Sequence, residues 1–228
     1  MEREEYTIDN YPTSGKKYNG EKAIISLTSW RARINTVDKT IYSLIKQCPG
    51  FHIVLVLSEE EFPKKEEELP ERLMLFVENE LIELLWVYKN YKSFKKVLFT
   101  MDKYREVPVI SADDDCIYTC NYANDLFEEW KENVSSVIRY QGTKIMSSNH
   151  AVSGPWTIYP PFKKFGMFAL PKLLKMNQGK VNRSLDDDFY NAIIKKYKIK
   201  HHGIKSGGYK NRLIFFSQEN AIHKGVFR

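Results

Sequence analysis

Two acidic triplets dominate the chemistry available to this sequence. The first, Asp113-Asp114-Asp115, ends the apolar run Pro108-Val109-Ile110-Ser111-Ala112 and is followed at once by Cys116-Ile117-Tyr118. Adjacent carboxylates repel, so a fold that gathers them must compensate their charge. A divalent cation is the simplest compensation, because hard oxygen ligands suit Mg²⁺ or Mn²⁺. A solvated turn would also carry an acidic run, but the apolar flanks tie this one down at both ends. The second triplet, Asp186-Asp187-Asp188, opens a helical pattern running from Ser184 to Tyr197, with Lys195 and Lys196 in the last turn. Acids in a first helical turn complement the helix dipole, by a few tenths to ~1 kcal/mol each. Three acids exceed that need, and a helix start fixes a side chain well enough for a general base. Asp187 is the first choice for that base and Asp188 the second.

Cationic partners for the first triplet come from Thr28-Ser29-Trp30-Arg31-Ala32-Arg33, the end of an apolar strand. In open α/β sheets, ligands sit beyond the carboxyl ends of strands, where strand order reverses. If the first and fourth strands are neighbours, Arg31 and Arg33 face the triplet across a crevice suited to a nucleotide diphosphate and a bridging metal. Pairing with a surface carboxylate is the alternative for either arginine. His150, His201, His202 and His223 are scattered. Of these, His223 is the candidate to close over a metal-bound diphosphate, against the commoner role of a surface histidine. Aromatics alternate with lysines from Tyr88 to Lys96, as in single-strand nucleic-acid binders; a helix start with Phe94 packed inward explains the pattern as well.

The elements that must position these groups follow from periodicity. Lys22 to Thr28 reads as a buried strand, and Asn35 or Thr36 caps a helix to about Gln47 with Val37, Ile41, Leu44 and Ile45 on one face. Phe51 to Leu57 is apolar throughout, as in a parallel strand covered on both faces. A right-handed crossover joins the two strands. Glu59 to Glu83, with ten acidic and three basic residues, is read as a solvated, partly helical excursion. Leu84 to Val87 is a third strand, Ser93 to Tyr104 a helix with Phe94, Val97, Leu98 and Met101 on its stripe, and Val107 to Ala112 the fourth strand. A helix from about Asn121 to Lys131 follows, then antiparallel strands at Val134 to Tyr140 and Thr143 to Met146. Ser153-Gly154-Pro155 and Tyr159-Pro160-Pro161 read as loops around Trp156, Phe165 to Leu170 as a strand, and the segment beyond Tyr197 as a loop-rich tail. Residues 1–20 read as a poorly anchored arm.

Composition sets the frame. The 228 residues are 43% apolar and 28% charged, which suits an α/β globular protein of one large or two small domains. No apolar run approaches the roughly 20 residues of a membrane span, and the acidic N-terminus does not read as a signal peptide. Cys48, Cys116 and Cys120 lack the neighbours of a zinc set and read as reduced thiols of a cytoplasmic protein. Residues 172–228 hold 13 Lys/Arg against 4 Asp/Glu, a balance of +9 that leaves −3 for the first 171 residues. That basic quarter suits an anionic partner, including the cytoplasmic face of a membrane.

The ordered blocks Leu27-Thr28-Ser29-Trp30-Arg31-Ala32-Arg33-Ile34, Ile53-Val54-Leu55-Val56-Leu57-Ser58-Glu59-Glu60-Glu61-Phe62-Pro63, Trp86, Lys92-Ser93-Phe94-Lys95-Lys96 and Ala112 to Tyr118 together resemble bacterial GT-A glycosyltransferases of cell-surface polysaccharide assembly, such as lipopolysaccharide or capsule. The resemblance covers about residues 22–200. It implies a single GT-A domain: a Rossmann-like, mostly parallel sheet flanked by helices, with a nucleotide-sugar half (22–118) and a smaller, antiparallel acceptor half (119–228). It also implies a nucleotide-sugar donor, a glycan or lipid-linked acceptor, no nucleic acid, and Mn²⁺ or Mg²⁺ on a DxD motif. By the same resemblance Asp115 binds metal, Asp113 the ribose or metal, and Asp114 the donor sugar. By it, too, Thr28, Ser29 and Arg33 line the donor pocket and the helix-start acids supply the base of an inverting displacement; Arg31 and Lys96 are further candidates for the donor pocket, and His223 for the metal. Asn90 stands where relatives carry an Asp, and Phe165 to Leu170 has one glycine where they have several. A sugar-phosphate nucleotidyltransferase is the main alternative, but the first strand lacks a glycine-rich phosphate loop. A basic nucleic-acid-binding module is disfavoured by the acidic cleft.

Overall fold

The computed structural model describes residues 22–47, 50–140, 157–162, 186–204 and 213–215. Nine strands and five α-helices are defined there. In chain order they are β1 (Ala23–Thr28), α1 (Val37–Ile45), β2 (Phe51–Ser58), α2 (Glu71–Glu78), β3 (Glu83–Val87), α3 (Lys95–Lys103), β4 (Val109–Ser111), β5 (Cys116–Tyr118) and α4 (Tyr122–Lys131). After these come β6 (Val137–Tyr140), β7 (Thr157–Tyr159), α5 (Asp186–Lys196), β8 (His201–Ile204) and β9 (Leu213–Phe215). Seven strands form one sheet in the order β3-β2-β1-β4-β7-β6-β8, and β5 pairs with β9 in a separate antiparallel ribbon. Only β7 runs against the other strands of the large sheet. The expected mixed α/β architecture is the observed one.

Alternation along the central strands explains the three layers. Ala23, Ile25 and Leu27 of β1, with Ile53, Leu55 and Leu57 of β2, pack with α1, α2 and α4; Ile24, Val54 and Val56 face α3 and α5. Every residue of β2 is buried, so its apolar run has no polar face to show. The apolar stripes of α1 and α3 lie in these two cores, as their spacing predicts.

Three sequence expectations need correction. Glu59 to Glu83 is partly helical but not merely solvated, because Phe62, Leu69, Leu73, Phe76, Leu81 and Ile82 enter the core. The loop reading around Trp156 conceals β7, whose three residues are fully buried between β4 and β6. The segment beyond Tyr197 is no simple loop, since it adds β8 beside β6 and β9 beside β5. Val137–Tyr140 pairs antiparallel with β7 and parallel with β8, while Thr143 to Met146, Phe165 to Leu170 and residues 1–20 lie outside the described residues.

The amino ends of β2 and β3 are fastened by a polar knot. Glu83 accepts from Lys103 Nζ (2.7 Å) and from the Tyr104 hydroxyl, and lies 2.9 Å from His52 Nε2. Burial alone would raise this carboxyl, but its three partners outweigh desolvation and hold it down at about 2. A depressed carboxyl contributes stability above its unfolded value of 4.5 and loses that contribution as pH falls toward about 2. Glu83→Gln is therefore expected to lower the unfolding free energy by on the order of 2 kcal/mol at pH 7. The difference from wild type should close as urea titrations are repeated between pH 4.5 and pH 2.5.

Candidate active site

The chain runs outward from β1 through β2 to β3, then returns across the sheet to place β4 on the other side of β1. Strand order thus reverses between β1 and β4, whose parallel register pairs Ile24 with Val109 and Ser26 with Ser111. Both carboxyl ends open at this reversal. The β1 end delivers Thr28 to Arg33, and the β4 end delivers Asp113 to Asp115, as the sequence predicts if those strands are neighbours.

The loop after β1 is a tight coil. Arg33 and Ile34 N–H groups donate to the Trp30 carbonyl (2.9 and 3.0 Å), and the Thr36 N–H and hydroxyl donate to the Arg33 carbonyl (2.9 and 3.0 Å). This coil turns Arg33 inward. Its Nη1 lies 2.7 Å from Asp115 and 3.0 Å from Asp114, with only 11% of the side chain exposed. Ser29 donates to the second Asp114 oxygen at 2.7 Å. Arg31 does not join this group: it is 56% exposed, pairs with Glu68 at 2.6 Å, and donates to the Glu61 carbonyl. Thr28 donates to the β2 carbonyl of Val56 at 2.6 Å.

The three aspartates of the turn are not equivalent. Desolvation raises the Asp114 carboxyl to about 6, despite the opposing Arg33 charge and the Ser29 bond. Burial and the neighbouring Asp113 charge also raise Asp115. Asp113 is the accessible member at 30% exposure. A tyrosine clasps its backbone, with the Asp113 N–H donating to the Tyr118 hydroxyl (2.8 Å) and that hydroxyl donating to the Asp113 carbonyl (3.3 Å). Tyr118 is in turn anchored through its N–H to the Ser43 hydroxyl of α1 (3.0 Å).

Lys96 joins the two acidic triplets. Its Nζ lies 2.7 Å from Asp113 and 3.2 Å from Asp186, the first residue of α5. Asp187 and Asp188 are the next two residues of that helix, and their side chains lie outside the described residues, as does His223. Beside Lys96, the buried Lys95 ammonium donates to Glu61 and to the Asn90 side-chain oxygen, both at 2.9 Å. Burial lowers Lys95, with Glu61 opposing the shift. Sequence reasoning missed Lys95, Glu61 and Tyr118 as parts of the site. The one available signal was the pair of lysines opening α3, where a helix disfavours cations.

Charge and donor type suit a divalent cation. Asp113, Asp114, Asp115 and Asp186 bring four negative charges when ionised, against one each from Arg33 and Lys96. Two remain, on hard oxygen ligands. Among the described residues no three His, Cys, Asp or Glu side chains are gathered as a metal set, so protein carboxylates alone do not complete a coordination sphere there.

Burial separates the two arginines. Removing one partner of a buried ion pair strands the other charge, a loss of about 3–5 kcal/mol; an exposed pair contributes little. Arg33→Met should therefore destabilise the chain by about 3 kcal/mol at pH 7, while Arg31→Met leaves the urea midpoint nearly unchanged. Equal effects from the two substitutions would contradict the buried pairing.

No family model matches the chain, and no curated protein matches it in sequence. Solved structures do. The glycosyltransferase GlyE of Streptococcus pneumoniae superposes with a TM-score of 0.52 at 16% identity, covering 82% of this chain and 46% of that one. S. aureus TarS 1-349 gives 0.55 at 15% identity, covering 84% and 59%. The same TarS piece in complex with UDP-GlcNAc gives 0.54 at 14%, covering 87% and 59%. The chain spans about half the length of the solved chains it matches. At such identities the likeness is one of architecture: this chain has the mixed α/β fold of the glycosyltransferase GlyE and of TarS, with its carboxylates gathered where strand order reverses.

Proposed function

We propose that the chain is a metal-dependent, inverting glycosyltransferase that moves a sugar from a nucleotide-sugar donor to a hydroxyl of a glycan or lipid-linked acceptor in bacterial surface-polysaccharide synthesis. The observation that carries the reading is the meeting of two acidic segments at one sheet end. Asp113 and Asp186 share the Lys96 ammonium, so a donor held at the β4 end lies beside the start of α5. UDP-GlcNAc bound to TarS, a protein of similar fold, adds support for a nucleotide-sugar donor.

In this reading Ser29 and Arg33 border the nucleotide, and Asp113 and Asp115 hold Mn²⁺ or Mg²⁺. The bound cation would offset the negative charge gathering on the departing diphosphate. Asp113 is the carboxylate that reaches solvent, whereas Asp115 shares its charge with Arg33. Asp187, with Asp188 as the alternative, takes the proton from the acceptor hydroxyl as its oxygen attacks the anomeric carbon. The new glycosidic bond forms as the bond to the nucleotide diphosphate breaks, and the anomeric configuration inverts. The basic segment of residues 195–202 supplies a positive surface for a peripheral contact with anionic lipid. Among the described residues, no helix is long and apolar enough to cross a membrane.

A thermal-shift screen of nucleotide sugars with and without Mn²⁺ tests this reading, because a ligand at 100 times its Kd stabilises by about 2.7 kcal/mol. At least one donor should raise the midpoint in a Mn²⁺-dependent way. Asp113→Ala should abolish the Mn²⁺-dependent part of that shift. Asp187→Asn should retain donor affinity and lose on the order of 100-fold or more in transfer rate. Silence of the wild type toward every nucleotide sugar would overturn the assignment.

A further inference from the structure

Lys96 stands where helix stability alone would not place a lysine. It is the second residue of α3, whose first turn contains no acid. Aligned peptide dipoles make that end of a helix unfavourable for a cation. The side chain is only 7% exposed, so its ammonium has also lost most of its hydration. Lys95, its neighbour, is compensated by groups from the β2–β3 side, Glu61 and Asn90. Lys96 instead pairs with Asp113 and Asp186, which come from two separate segments, the turn after β4 and the start of α5.

We propose that Lys96 is a positioning residue, whose ammonium fixes the start of α5 against the end of β4. The backbone at the start of α5 is then set relative to Asp113. That the placement serves sugar transfer rests on the glycosyltransferase reading; the placement itself does not. Without the ammonium, Asp113 and Asp186 are left near one another as like charges. The edge-on packing of Phe94, just before α3, on Phe189 of α5, with centroids 5.4 Å apart, lies in the apolar core that the two helices share. Being apolar, it does not fix where the carboxylates sit. The reading differs from the sequence expectation for this lysine, which placed it on the nucleotide sugar.

Hydrogen–deuterium exchange on the ligand-free full chain reads the placement directly. Lys96→Met should speed exchange of the first hydrogen-bonded amides of α5 (residues 190–193) at least tenfold, with β1 and β2 amides unchanged. Lys96→Arg, which keeps a cation, should return most of the protection. Lys96→Met combined with Asp186→Asn, which removes the repulsion along with the cation, should fall between them. If Lys96→Met does not fold, Asp186→Asn alone spares the Lys96–Asp113 pair and should speed the same amides at least threefold. In parallel, calorimetry with UDP-GlcNAc and Mn²⁺ as the probe should give a Kd for Lys96→Arg within threefold of wild type. Unchanged α5 exchange in the folded variants overturns the proposal, as does a tenfold loss of donor affinity with α5 protection intact, which would put Lys96 on the donor. A wild type that binds no nucleotide sugar removes the functional reading, while the exchange pattern still decides the role of Lys96.

Discussion

Adjacent carboxylates cannot be buried together unless a cation is buried with them, and for Asp114 and Asp115 Arg33 is that cation. Its guanidinium reaches Asp114 and Asp115 at 3.0 and 2.7 Å. Both contacts are made by the same nitrogen, Nη1. The rest of the site depends on this contact. Arg33 is aimed by the Trp30 to Thr36 coil, the coil is carried by β1, and β1 meets the triplet only because β4 pairs beside it. The crossover out to β3 and back is therefore what brings one charge to the other.

Arg33 leaves the triplet incompletely compensated, and the incompleteness is graded. Asp114 is the most deeply held, raised to about 6 by desolvation and fastened by Ser29 and Arg33. Asp115 is buried beside the same guanidinium, and Asp113 alone opens toward solvent while touching Lys96. Asp114 and Asp115 are turned inward, and Asp113 is the carboxylate of the turn that reaches solvent. Such an arrangement sacrifices stability for a charged, partly desolvated surface, the usual mark of a functional site on an otherwise apolar scaffold. At the opposite end of the sheet, the knot around Glu83 shows the contrasting case. There a carboxyl fully met by His52, Lys103 and Tyr104 is held at about 2 and fastens strand ends.

Much of this was legible in the sequence. The first four strands of the large sheet and their helices announce themselves through long periodic segments, whereas the adjacency of β1 and β4 was a condition that only the structure meets. The elements that escaped are short. Thr157-Ile158-Tyr159 is too brief for a period of two to register and abuts Pro160, and β8 opens on His201-His202-Gly203, residues with little strand preference. Both are held by partners remote in sequence, which local pattern does not encode. The site shows the same division. The triplets and Arg33 could be singled out by type, whereas the bridging role of Lys96 and the bracing by Tyr118 exist only once separate segments meet. Arg31 and Arg33 look alike in sequence, and only the coil decides that one turns toward Glu68 and the other toward the aspartates.

Crystals of the full chain soaked with Mn²⁺ and a nucleotide sugar, measured at the manganese absorption edge, test the central claim most directly. The account predicts an anomalous peak bound by a carboxylate oxygen of Asp113, with the diphosphate between it and the β1 end and with Arg33 still paired to Asp114. A manganese peak away from the first triplet, or a nucleotide seated at the other end of the sheet, would contradict it.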